Sequence, residues 1–171
     1  EDATVSGTVA SNDSDPDAGA TLTYSAPTTA GLTFNADGSY TFDAANAAYQ
    51  HLAAGATQDV VVTYTVSDGT ASSTATLTIT VTGVNDAPTA VNDTSTAVLE
   101  GATAPLTGSV ASNDSDIDDA ATLTYSIATA VPGLTFNPDG SYSFDASNAA
   151  YNSLNEGEVK LIVVPYTVTD D

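Results

Sequence analysis

The sequence predicts an all-β protein made of two tandem antiparallel β-sandwiches joined end to end. Three observations predict it. Leu77, Ile79 and Val81 alternate with Thr76, Thr78, Thr80 and Thr82, the period of a strand with one buried and one wetted face. Clusters of Gly, Pro, Asn and Asp recur at roughly the 8–12-residue spacing of sandwich turns. The chain also repeats itself: Val9-Ala10-Ser11-Asn12-Asp13-Ser14-Asp15 returns as Val110-Ala111-Ser112-Asn113-Asp114-Ser115-Asp116, an offset of 101.

The repeat runs along the whole chain. Thr21–Ser25 returns as Thr122–Ser126 at the same offset. Gly31–Asn35 returns as Gly133–Asn137, and Tyr64-Thr65-Val66 as Tyr166-Thr167-Val168, at 102, so one residue is inserted in the loop between. A period of one small domain in 171 residues places the first sandwich at 1–82, a linker at 83–88 and the second sandwich at 89–171. The copies are cut out of phase. A leading strand, about Thr89 to Leu99, has no counterpart before Glu1, and the closing strand Thr74–Thr82 has none after Asp171. The chain therefore reads as a piece of something longer, with edge-strand contacts expected between copies or neighbouring molecules.

The elements follow in order. A strand from Val5 to Ala10 ends in an acidic loop. Asn35-Ala36-Asp37-Gly38, matched by Asn137-Pro138-Asp139-Gly140, makes a hairpin. Ala and Pro exchange where a type I turn holds φ near about −65°, and the glycine takes the left-handed position. Phe34, Tyr40 and Phe42, with Phe136, Tyr142 and Phe144, flank these turns and recur, as core residues do. Asn46–Leu52, repeated at Asn148–Leu154, offers one turn of helix. Val60, Val62, Tyr64 and Val66 alternate as a strand that turns at Ser67-Asp68-Gly69 into Thr74–Thr82. Gly83-Val84-Asn85-Asp86-Ala87-Pro88 is linker chemistry.

Charge excludes whole classes of partner. There are 22 acidic residues against one basic residue, Lys160, for a net charge of −21. Nucleic acid and anionic membrane surfaces both need cationic side chains. Clustered acids favour divalent cations, the alternative being a solvated acidic coat. Without cysteine there is neither disulfide nor thiolate chemistry. No apolar run approaches the ~20 residues of a membrane span.

Catalysis is expected to be absent. The lone His51 aligns with Ser153, and one His with one Lys assembles no nucleophile–base pair. Paired carboxylates for glycoside hydrolysis remain open by counting alone. Against them, the acids repeat with the domain, as structural parts do.

The acids form the pattern Asp13-Ser14-Asp15-Pro16-Asp17 and Asp114-Ser115-Asp116-Ile117-Asp118-Asp119. Carboxylates at alternate positions repel one another, and a hard cation relieves this. Calcium, which takes about 6–8 oxygens in irregular geometry, fits best. Zinc would lack nitrogen or sulfur ligands. An EF-hand is excluded, because the sixth and twelfth positions from Asp13 are Ala18 and Tyr24 instead of Gly and Glu. Ligands must therefore converge from several loops. The strand order gathers Glu1, Asp13, Asp15 and Asp68 at an incomplete apex of the first repeat. Glu100, Asp114, Asp116 and Asp170 form the apex of the second, facing Asn85 and Asp86 of the linker, with Asp43 approaching from the bottom of the first repeat.

The run Asn12-Asp13-Ser14-Asp15-Pro16-Asp17, the turn Thr65-Val66-Ser67-Asp68-Gly69 and the join Gly83–Pro88 together resemble the VCBS-type, cadherin-like tandem repeats of bacterial RTX adhesins. The resemblance implies Ig-like extender domains strung between a cell anchor and an adhesive tip. It also implies joint calcium ligands at Glu100, Asp114, Asp116, Asn85, Asp86 and Asp170. Gly83 and Ala87 depart from the cadherin linker, where Asp and often Asn stand, so fewer ions are expected here.

The expectation is a calcium-rigidified spacer of a large secreted adhesin on the bacterial cell surface, supporting adhesion and biofilm formation. Its partners are calcium ions and neighbouring repeats of the same chain, with no nucleic acid and no direct membrane insertion. The alternatives are a glycan- or protein-binding adhesin module and an accessory domain of a secreted hydrolase. Two near-identical copies without a unique insertion favour the spacer.

Overall fold

Eleven strands and no helix make up the computed structural model, which describes residues 1–171. The chain divides into two units, Glu1–Asp86 and Ala87–Asp171. In the first, β1 (Thr4–Thr8), β4 (Ser39–Asp43) and β3 (Leu32–Phe34) form one antiparallel sheet in the order β1-β4-β3. The second sheet has the order β2-β5-β6, from β2 (Thr23–Ser25), β5 (Thr57–Ser67) and β6 (Ser72–Thr82). Inward side chains of both sheets meet in the core. Phe42 and Val62 are its fully buried centre, with Tyr49, Leu52, Val60 and Val81 around them. Val9, Tyr24 and Tyr64 form a second cluster. Each such large side chain contributes roughly 1.5–3 kcal/mol by leaving water.

The hairpin expected at Asn35–Gly38 is present. Phe34 pairs with Tyr40, Gly38 N donates to Asn35 O, and Gly38 holds φ of 80°. Gly140 repeats it at 77°. The turn at Ser67–Gly69 closes the longest ladder of the protein, running from Ser67↔Ser72 to Thr57↔Thr82.

In the second unit, β7 (Leu106–Ser109), β10 (Ser141–Phe144) and β9 (Leu134–Phe136) repeat the first sheet in the order β7-β10-β9. The other sheet has two strands, β8 (Thr124–Ser126) and β11 (Thr167–Thr169). The aromatic core is copied closely. Phe42 and Tyr49 have ring centroids 5.3 Å apart, as do Phe144 and Tyr151. Tyr24–Tyr64 at 6.3 Å is matched by Tyr125–Tyr166 at 6.2 Å.

Three local expectations are corrected. Asn46–Leu52 is not helical. Tyr49 N donates to Asn46 O and Leu52 N to Tyr49 O, successive three-residue turns, and the Asn46 side chain takes the Ala48 N–H. Thr89–Leu99 is not a strand beyond the single bridge Thr89↔Ser115. Side chains satisfy its backbone instead: Val91 N donates to Asp114 Oδ1, and Val91 O accepts from Asn113 and Tyr166. Gly83, read above as the start of the linker, is buried in the first unit. Its N–H donates to Ala56 O, its carbonyl accepts from Gly55, and a Cβ there would meet Leu52 O at 2.2 Å.

No helix is long and apolar enough to cross a membrane.

Candidate metal centre

Each unit has two poles. In the first, Glu1, Asp43, Thr57 and Thr82 lie at the base: β1 starts there opposite Asp43, and the Glu1 ammonium donates to Thr82 O. The loop after β1 and the β5–β6 turn lie at the apex, where the Tyr64 hydroxyl meets Asp13.

At this apex the carboxylates of Asp15, Asp17 and Asp68 each offer an oxygen within 4.8 Å of the others. Local chemistry places them. Asp15 Oδ1 accepts the Asp17 N–H at 2.8 Å, a side-chain turn that bends the loop back on itself. Asp68 Oδ1 accepts from Thr70 and Ala71, capping the β5–β6 turn. These backbone bonds, Ala71 first, hold the Asp68 carboxyl below its ordinary value. Asp15 and Asp68 each keep a second oxygen for a cation.

The second unit carries the same triad: Asp116, Asp118 and Asp170, again within 4.8 Å. Asp116 Oδ1 accepts the Asp118 N–H at 2.8 Å, as in the first copy. Asp118 is the one buried charged residue of the chain, at 7% exposure, and Asp116 Oδ2 is buried with no hydrogen-bond partner. Three carboxylates at such distances repel by roughly 1–3.5 kcal/mol per pair. The only lysine or arginine, Lys160, lies over the Tyr151 ring, 5.3 Å from its centroid. An oxygen-only, strongly anionic donor set with a buried orphan oxygen fits a hard divalent cation such as calcium.

The sequence grouping is therefore corrected in three places. Glu1 does not join Asp13, Asp15 and Asp68. It lies at the base, its Oε1 accepting the Val84 N–H, with an oxygen within 4.8 Å of one from Asp86. Glu100 does not join the second apex, because Gly101 N donates to Ala146 O at the base of its unit. The reason is topological: the strand that follows each glutamate runs from base to apex. Asp13 and Asp114 face inward from the loop instead of completing the triads. Tyr64 donates to Asp13 at 3.2 Å, while Asp114 takes Tyr166 at 3.2 Å and the Val91 N–H at 2.7 Å. Burial first, then the neighbouring carboxylates, push both phenols up.

Asp17 and Asp118 were the residues missed. Their signal was visible as the third acid of each alternating run, but an Asp-x-Asp reading stops at the second. Asp15 lies with Asp68 in the first unit and Asp116 with Asp170 in the second. Asp43 is at the base, its Oδ1 accepting the Ala45 N–H. Asn85 donates its side-chain N–H to Asp86 O.

Residues 1–83 match the bacterial cadherin-like domain and residues 85–171 the bacterial Ig domain. No curated protein matches the chain. Among solved structures, a crystal structure of Drosophila N-cadherin EC1-4 is 17% identical, with 74% of this chain and 33% of that chain covered and a TM-score of 0.41. Human protocadherin-24 EC1-2 is 20% identical over 86% of this chain and 76% of that chain, with a TM-score of 0.44. The chain thus spans about a third of the first of these structures. With residues 85–171 matched, the chain belongs to the bacterial Ig domain family, and residues 1–83 form a bacterial cadherin-like domain that precedes it in tandem.

Proposed function

We propose that the chain is a non-catalytic extender segment of a secreted bacterial surface adhesin, stiffened by calcium and serving cell adhesion and biofilm formation. The observation that carries it is the repetition of one carboxylate triad at one pole of both units, Asp15-Asp17-Asp68 and Asp116-Asp118-Asp170. A catalytic site has no reason to recur with every module, whereas a joint ligand set does. The base of the first unit adds Glu1 and Asp86, so acids stand at both of its poles. Asn85 and Asp86 are the last residues before the second unit, and in this reading they add oxygens to its calcium. Calcium neutralises acids that would otherwise repel, and so limits the freedom of consecutive modules.

Calorimetry should find calcium bound in the range of about 10⁻⁴–10⁻³ M typical of extracellular modules. Asp116→Ala and Asp118→Asn should each weaken binding at the second apex. Small-angle scattering should show a longer, less flexible particle with calcium than with chelator, and the Asp116→Ala chain should scatter as the chelated one does. Identical maximum dimension and flexibility in all three samples would refute calcium stiffening.

A further inference from the structure

A further group of oxygens gathers around the Tyr166 hydroxyl, within the second unit and sharing no residue with the triad Asp116-Asp118-Asp170. Val91 O lies 3.0 Å from the hydroxyl, Asp93 Oδ2 3.1 Å, Asp114 Oδ2 3.2 Å and Asp114 Oδ1 3.4 Å. A phenol has one proton to donate, and carbonyl and carboxylate oxygens have none. One hydrogen bond can form, and the other oxygens are left facing lone pairs. All four contacts lie at or beyond the long end of the O–H···O range of about 2.5–3.0 Å. The remaining donors are neutral. Val91 N–H goes to Asp114 Oδ1 at 2.7 Å, and the Asn113 amide to Val91 O at 3.2 Å.

An independent sign of a ligand comes from Tyr125, in β8. It is 4% exposed, and its hydroxyl is buried with no hydrogen-bond partner. Its ring lies 6.2 Å from that of Tyr166, centroid to centroid. Burial first, then the Asp114 and Asp93 carboxylates, push this phenol up, so the hydroxyl is aimed into the same oxygens. Buried hydroxyls are normally paired. One that stands beside two carboxylates and bonds to neither points to a third group between them, able to take oxygen lone pairs on every side.

We propose that the second unit holds a calcium ion within itself, ligated by the Asp93 and Asp114 carboxylates and the Val91 carbonyl, with the Tyr125 and Tyr166 hydroxyls facing it. An oxygen-only donor set with two carboxylates suits calcium, whose irregular shell of about 6–8 oxygens takes carboxylates, carbonyls and waters. Val91 and Asp93 are exposed, so water can complete the shell. The ion would tie together segments far apart in the chain: 91–93, the loop at 113–114, Tyr125 in β8 and Tyr166 just before β11. Its effect is therefore on the fold of one unit, whereas the triads are read above as acting on the joint. By mass action, calcium bound to the folded state stabilises the second unit itself.

The test is a calcium titration of the full chain, followed by NMR and calorimetry, in the parent, Asp93→Asn and Asp116→Ala chains. In the parent, calcium should shift the ring signals of Tyr125 and Tyr166 saturably and slow amide exchange of Val91 by at least about tenfold. Asp93→Asn, isosteric and at an exposed position, should bind one calcium fewer and lose both effects. Asp116→Ala should keep both, so failure of the triad reading would leave these signals in place. Equal calcium stoichiometry in the parent and Asp93→Asn chains, ring signals of Tyr125 that ignore calcium, or loss of both effects in Asp116→Ala would overturn the proposal. So would an Asp93→Asn chain more stable than the parent in calcium, because the two carboxylates would then merely repel.

Discussion

Residues 57–67 and 159–169 occupy the same place in the repeat and share Tyr-Thr-Val one residue before their ends, but only the first is an eleven-residue strand. In the second, three residues, Thr167–Thr169, are strand. Local preference would have ranked them the other way. Val159, Leu161, Ile162, Val163 and Val164 are better strand formers than Thr57, Gln58 and Asp59. The difference lies in pairing. β5 has β2 on one side and β6 on the other, whereas β11 has β8 alone. A strand is stabilised by partners for its backbone groups and by cross-strand contacts, so a good strand sequence without a partner is an extended segment and no more.

The largest expected consequence is a gap in stability between the units. β6 brings the buried Val81 and the half-buried Leu77 and Ile79 onto the core of the first unit. Roughly 4 kcal/mol of apolar burial goes with those three side chains. In urea, the second unit should therefore unfold first, with amides of Ala87–Asp171 exchanging through openings about 4 kcal/mol easier than those of β5. A single transition in which both units unfold together, at one midpoint and with equal amide protection, would break the comparison.

The fold was largely legible in the sequence, and the site only partly. The strands around Phe42, Tyr64 and Ile79, the Asn35–Gly38 turn and the repeat all follow from local periodicity and turn chemistry, which residues carry with them. Thr89–Leu99 has the same kind of sequence, but its pairing depends on groups distant in the chain. Side chains of Asp114, Asn113 and Tyr166 hold Val91 where a ladder was expected. The acid clusters were legible as a pattern, yet their membership was not. Whether Asp13 or Asp17 turns towards Asp68 is decided by the Asp15 side-chain turn and by the Tyr64 hydroxyl. Neither leaves a mark in spacing. Glu1 and Glu100 were assigned by analogy of order, and strand direction placed them at the opposite pole.

A smaller effect sharpens the same comparison within the core. Val62 is 1% exposed in the first unit, and Val164, its counterpart, is half-buried. Truncating a side chain costs its transfer free energy plus a cavity term where neighbours cannot collapse. Val62→Ala should cost about 2–3 kcal/mol and Val164→Ala under about 1 kcal/mol, read from the urea midpoint of each unit. Equal losses would mean that the second unit is packed as tightly at this position as the first, with or without a β6 partner.

The smallest effect is on pH. Asp68 caps the β5–β6 turn, and backbone N–H groups of Ala71 and Thr70 hold its carboxyl below the ordinary value. A folded value lower than the unfolded one means that the contribution is fully present above the unfolded value of about 3.9 and is lost as pH falls through the lower folded one. Acid should therefore loosen this turn, with the first unit losing stability below about pH 4. Asp68→Asn keeps an acceptor oxygen for the two N–H groups while removing the titration. Its urea midpoint should thus fall less steeply between about pH 5 and pH 3 than that of the parent chain. Screening at this exposed site keeps the difference small, so the decisive reading is residue-resolved: in an NMR titration the Asp68 carboxyl should ionise below that of an unstructured aspartate. An Asp68 midpoint at or above the ordinary value, or the same acid slope in both chains, would remove the cap from the account of why β5 and β6 stay paired.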